Sequence, residues 1–152
     1  MDRFIELASE QTMYSNSHHK HGSVLVLRKH QTFTGYNHSI SSKCSVTMHA
    51  EEHAINNFLD WCRIRRYSDS FIRRKLNRAV LVTIRMKNDT IKYSPPCHVC
   101  IELIKKYGIK KILYSATDLD EDRVDGVSYM MSKKARDIQE AYISSGYRSL
   151  SR

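Results

Sequence analysis

Two short stretches carry side chains that can do chemistry together. "TMHAEEHAI" (Thr47–Ile55) holds His49, Glu51, Glu52 and His53, and "SPPCHVC" (Ser94–Cys100) holds Cys97 and Cys100. On a helix His49 and His53 lie about one turn apart on one face. A Cys-x-x-Cys pair at a helix start suits a metal, because the free N–H groups and the helix dipole there favour thiolate over thiol. The paired spacing, the prolines before it and a histidine at another helix start favour zinc over a redox pair or packed thiols. Two arrangements fit. In one, His49, His53, Cys97 and Cys100 close a tetrahedral structural site with no room for a substrate. In the other, His49, Cys97 and Cys100 bind the ion and water takes the fourth position. Zinc lowers the pKa of such a water to about 7, and Glu51 beside it would carry protons.

These residues need elements to hold them. Asp2 opens a first helix with Phe4, Ile5, Leu7, Ala8 and Met13 on its apolar side. "SNSHHKHG" reads as a loop, in which His18, His19, Lys20 and His21 are solvated or line the mouth of a site. "SVLVLRKH" and "QTFTGYN" read as a hairpin turning near Arg28–Gln31. A helix starts near Thr47 or Met48, with Ala54, Ile55, Phe58, Leu59 and Cys62 at helical spacing. Ser68 and Asp69 cap a short helix carrying Phe71, Ile72 and Leu76. "AVLVTIRM" is a central strand and "KNDT" a turn. A helix follows from Cys97 to Tyr107, stopped by Gly108, then the strand "KKILYSA". "VSYMM" is extended, and a last helix is expected over Lys133 to Ser144. Strands alternating with helices define a layered α/β domain. The step from "VLVTIRM" to "KKILYSA" has the form of a parallel crossover, and the short last connection allows an antiparallel hairpin.

The 152 residues carry a formal net charge of +9, enough chain for one domain spanning 1–152 and a charge that favours anionic partners. The tail 146–152 is the only stretch with a disordered composition. No signal-peptide pattern and no membrane-spanning apolar run is present, so a cytoplasmic protein is expected. Four cysteines in such a protein suggest metal or thiol chemistry before disulfides. Cys44 and Cys62 read as core or near-surface thiols. "DLDEDRVDG" (Asp118–Gly126) fails as a calcium loop, because its sixth position is Arg123 rather than glycine.

The order His-x-Glu … Pro-Cys-x-x-Cys resembles the zinc nucleobase deaminases. With "GYN" (Gly35–Asn37), "HAE" (His49–Glu51), "PPCHVC" (Pro95–Cys100) and the trailing "IELIKKYGIKKILYS", the chain resembles the cytidine/deoxycytidylate deaminase superfamily from about Phe4 to Met131. The resemblance implies a three-layer α/β/α fold with a mixed five-stranded sheet. It implies Zn²⁺ on His49, Cys97 and Cys100, with Glu51 as general acid/base. Asn37, the N–H of Ala50 and the carbonyl of Pro95 would contact the substrate, a cytosine nucleoside or nucleotide. His53 would then not be a ligand, and Glu52 would be a surface residue. A homo-oligomer, dimer or tetramer, is implied as well.

The segment of about 63–78 is long for the compact members. It carries Arg63, Arg65, Arg66, Arg73, Arg74, Lys75 and Arg78 against one acid, Asp69. It reads as a phosphate- or nucleic-acid-binding surface or as a solvated helix face. Trp61 and Tyr67 could stack a base, although packing is the commoner role. The short last connection resembles the free-nucleoside branch of the family, whereas "GYN" and "HAE" resemble the deoxycytidylate and nucleic-acid branches.

Overall fold

The computed structural model describes residues 1–28, 31–41, 46–117 and 128–138, with backbone alone at 128 and 129. The chain order is α1 (Asp2–Thr12), β1 (Lys20–Val26), β2 (Thr32–Tyr36), β3 (His38–Ser39), β4 (Thr47–Met48), α2 (Ala50–Ile64), α3 (Asp69–Leu76), β5 (Val80–Lys87), β6 (Thr90–Lys92), α4 (His98–Lys106), β7 (Lys111–Thr117) and β8 (Ser128–Lys134), followed by a 3₁₀ turn at Ala135–Asp137. The sheet order is β2-β1-β5-β7-β8, with β6 paired to β5. Among the described residues only β5 and β7 run parallel, connected through α4. β7 and β8 are antiparallel over their full length, Lys111 opposite Lys134 and Thr117 opposite Ser128.

Alternation along β1 and β5 assigns the two faces. Val24, Val26, Val82 and Ile84 pack with Phe4 and Ala8 of α1. Leu25, Leu27 and Leu81 pack with Ala54, Ile55 and Phe58 of α2, with Leu76 of α3 and with Ile101 and Ile104 of α4. Helices therefore cover both faces, which is why β1 reads as an unbroken apolar run. Ser23 and Thr83, buried on neighbouring strands, satisfy each other with a 2.7 Å hydrogen bond. Ser68 caps α3 by accepting from the N–H of Phe71 at 3.3 Å.

The structure corrects the sequence reading in places. Lys133 and Lys134 belong to β8, and Ala135–Asp137 is a single 3₁₀ turn, so the expected helix does not begin at Lys133. Backbone pairing with the whole of β7 overrides the helical spacing of Ala135 and Ile138; positions 139–144 lie outside the described residues, as do 146–152. "KNDT" is a turn, with Asn88 and Asp89 at φ 49° and 58°, but it leads into β6, a sixth strand beside the expected five. Helix α2 starts at Ala50, and Thr47–Met48 pair instead with His38–Ser39. Lys20 and His21 are already in β1 rather than in the loop. Cys62 is buried, as expected, whereas Cys44 and the Asp118–Gly126 loop fall outside the described residues. Among the described residues no helix is long and apolar enough to cross a membrane.

Two glycines set how closely helices lie on the sheet. A Cβ on Gly22 would land on the carbonyl oxygen of Ala8 in α1, and one on Gly35 would land on Ala54 N and Ala50 O in α2. Both obstacles are backbone and cannot swing aside. Gly22→Ala and Gly35→Ala should each lower stability by about 1–3 kcal/mol, read as a fall in the urea midpoint. Only Gly35→Ala should also lower zinc content, because α2 carries His49 at its start.

Candidate metal centre

His49 and Cys97 occupy equivalent places: each is the extended N-cap residue of a helix, α2 and α4 respectively. Cys100 follows in the first turn of α4. The two helices pack on the same sheet face, and their starts converge. His49 Nδ1 lies 3.3 Å from Cys97 Sγ and 3.3 Å from Cys100 Sγ. Among the described residues these three form the one group of His, Cys, Asp or Glu suited to hold a metal ion, with ligand atoms all within 4.8 Å of one another. Zinc bonds of about 2.0 Å to nitrogen and 2.3 Å to sulfur place tetrahedral ligand atoms roughly 3.5–3.8 Å apart, so the group fits the ion with small adjustment. Both thiols are buried, and His49 is half-buried.

The electrostatics of the metal-free cluster prepare it for a cation. The hydrogen bond from Cys100 pulls Cys97 down to about 4 against the opposing cost of burial, and His49 adds to the fall. In return Cys97 pushes the Cys100 thiol up, with burial acting the same way. The bond to Cys97 raises His49 to about 9, with Glu51 assisting. Without metal the cluster is thus an imidazolium beside a thiolate. A dication replaces that proton with a stronger partner for both sulfurs.

Glu51 sits in the first turn of α2 and is buried. Burial raises its carboxyl above the usual range, opposed by the charge on His49. Such a group holds a proton closer to neutral pH than an exposed glutamate does. Glu52 is half-buried on the same turn.

His53 is turned elsewhere. Its Nδ1 lies 3.2 Å from both the N–H and the carbonyl of Tyr36 in β2, and its ring packs on Tyr36 and His38. Burial lowers its pKa. The closed four-ligand arrangement is therefore not the one built.

Asn37 is heavily engaged. Its Oδ1 accepts from Ser15 Oγ at 2.7 Å and from the His21 N–H at 2.8 Å, and its Nδ2 donates to the His19 carbonyl at 2.7 Å. Among the described residues one Nδ2 hydrogen is left over. Ala50 is buried at the first position of α2, and Pro95 is half-buried just before α4. This network of Ser15, His19 and His21 had no pattern in the sequence, because it joins the 15–21 stretch to Asn37 after β2. His21 itself keeps some surface exposure, but its ring is enclosed. Burial, then the Arg85 guanidinium, hold it down at about 4.

The basic segment is part spent on itself. Arg63 pairs with Asp60, Arg65 lies 4.5 Å over the Trp61 ring, and Arg74 and Lys75 flank Phe71. Tyr67 stacks on Phe71 at 4.1 Å.

The family model for the cytidine and deoxycytidylate deaminase zinc-binding region matches residues 1–116, and the chain belongs to that family. Among solved structures, the cytidine deaminase of Burkholderia pseudomallei is 16% identical with a TM-score of 0.59, over 93% of this chain and 98% of that one. The cytidine deaminase of Mycobacterium tuberculosis is 13% identical with a TM-score of 0.57, over 94% and 97%. At such identities the likeness is one of fold. Among curated proteins none matches the chain.

The ligand assignment is testable by metal content. Cys100→Ser should lose zinc, measured by plasma emission spectrometry, whereas His53→Ala should keep it. The enclosed ring of His21 makes the fold sensitive to acid. Its folded pKa lies below its unfolded value of 6.5, so the unfolded chain takes up its proton first. Its stabilising effect is complete above about pH 6.5, falls as pH drops, and is gone below about 4. Wild type should lose up to about 3 kcal/mol more than His21→Gln between about pH 7 and pH 4 in urea titrations. Comparing the two proteins cancels acid release of metal, which both share.

Proposed function

We propose that the protein is a zinc-dependent hydrolytic deaminase that converts a free cytosine nucleoside or nucleotide (cytidine, deoxycytidine or dCMP) to the uracil form and releases ammonia. The observation that carries this reading is a three-ligand group with a buried glutamate in the first turn of α2 and no fourth protein ligand among the described residues. A purely structural zinc site would close its tetrahedron with protein.

His49, Cys97 and Cys100 would hold the ion. When bound, zinc supplies an acidified water and polarises what binds beside it. Glu51 then takes the proton of the attacking water and delivers it to the ring nitrogen. It later transfers a second proton to the departing amine, so that ammonia leaves and a carbonyl remains. Its raised pKa suits both directions of transfer near neutrality. The N–H of Ala50, free at the helix start, would hold the base carbonyl, and the carbonyl of Pro95 would accept from the exocyclic amine. The remaining Nδ2 hydrogen of Asn37 would reach the sugar. The antiparallel β7–β8 pair supports the free-nucleoside branch, as do solved neighbours that are cytidine deaminases. Assembly into a dimer or tetramer belongs to the same proposal, and sedimentation would measure it.

Ammonia release should be fastest with a free nucleoside or nucleotide in a panel of cytidine, deoxycytidine, dCMP and cytosine-containing oligonucleotides. Release from oligonucleotides alone would replace this substrate class. Glu51→Gln should keep its zinc while turnover falls by about a thousandfold or more. Full turnover in that variant would remove Glu51 from the chemistry.

A further inference from the structure

A second charged feature lies at the opposite end of the sheet. The C-terminal end of α4, the start of β7 and the end of β8 enclose a cleft of about 1080 Å³. Lys105, Lys110, Lys111, Lys133, Lys134 and Arg136 line it, all exposed. Asp137, paired with Arg136 at 3.5 Å, is the one carboxylate in the lining. The 139–152 stretch brings a single acid, Glu140, against Arg148 and Arg152, so its composition does not neutralise the cleft.

The cleft joins the basic segment. Asn77 is both the C-cap of α3 and part of the cleft wall. The last turn of α3 carries Arg73, Arg74 and Lys75. Beyond them, Tyr67 is 39% exposed and stacked on Phe71, the ring beside which Arg74 and Lys75 lie. Cations of one sign gathered along a concavity repel one another unless a polyanion lies among them. A flat patch would suit a lipid surface, whereas a cleft next to a basic helix end with an exposed tyrosine beyond it suits a flexible chain of phosphates and bases.

We infer that this track, from the α3 cations past Asn77 into the cleft, binds the phosphate backbone of a single-stranded polynucleotide. The binding is separate from the metal centre. Helix α4 runs from Cys97 at the metal to Lys105 at the cleft, and its nine residues span roughly 13 Å. The track therefore lies about one helix length from the metal centre and is a binding surface of its own.

A fluorescent oligonucleotide free of cytosine tests this, since it offers nothing to deaminate. Its anisotropy with the zinc-loaded protein should report binding that weakens as salt rises, and Glu51→Gln should bind equally well. Lys110→Gln/Lys133→Gln/Lys134→Gln should bind at least tenfold more weakly. Its log–log salt slope should flatten by about 2, since each phosphate left without its cation on a single strand removes about 0.7. Arg73→Gln/Arg74→Gln should show a smaller flattening of the same kind. Both variants change exposed side chains, so ammonia release from a free nucleoside should match wild type. Salt-insensitive or undetectable binding, or wild-type binding by either variant, would overturn the track. So would binding to phosphatidylserine vesicles without binding to the oligonucleotide. None of these results bears on the substrate of the metal centre, which the ammonia assay decides separately.

Discussion

His49 and Cys97 each stand at the start of a helix, and bringing those two starts together concentrates unpaired N–H groups and partial positive charge at one point. Left apolar, that meeting would be unfavourable. The residues placed there reverse the sign: a thiolate at Cys97, a thiol at Cys100 ready to become one, and the carboxyl of Glu51 in the first turn of α2. The same anionic character that makes the helix junction tolerable makes it a seat for a dication. Structural and chemical demands are met by the same atoms.

That junction needs the helices to approach the sheet closely and in the right register. Gly35 lets α2 lie directly on β2, and the ring of His53 locks onto the backbone of Tyr36 beside it. On the other side, the parallel pairing of β5 with β7 fixes the length of the crossover, and α4 is the helix within it. Ile101 and Ile104 bury one stripe of α4 in the core shared with Ile55 and Phe58. The metal ligands therefore sit at the ends of two well-packed elements, which is how a site gains precision without loops of its own.

The sequence announced the parts whose signals are local. Cys-x-x-Cys after two prolines, the apolar spacing of Ala54, Ile55 and Phe58, and the β-branched run of β5 each specify themselves within a few residues. The metal triad was legible for that reason, whereas the choice between one and two histidines came from the resemblance to the deaminase family. What escaped depends on partners distant in the chain. Lys133 and Lys134 look helical beside Ala135 and Ile138, yet β7 offers an unpaired edge, and pairing takes them into β8. Thr90–Lys92 is too short to declare itself and exists because β5 runs on to meet it. Asn37 was marked by its motif, but its ties to Ser15, His19 and His21 arise only when two segments meet.

Helix α4 also explains how one small domain separates two kinds of charge. Its N-terminal end carries the thiols, favoured as anions by the dipole. Its C-terminal end carries Lys105 and Lys106, favoured as cations by the same dipole, each by about 0.3–1 kcal/mol. The strands on either side follow suit, since β7 begins with Lys111 and β8 ends with Lys133 and Lys134 at that same end. Part of the net charge of +9 thus gathers at the end of the sheet away from the metal centre. Lysines facing the thiolates would compete with a metal for them. Gathered at the far end instead, they leave the ligand cluster to a dication and form a separate surface for anions.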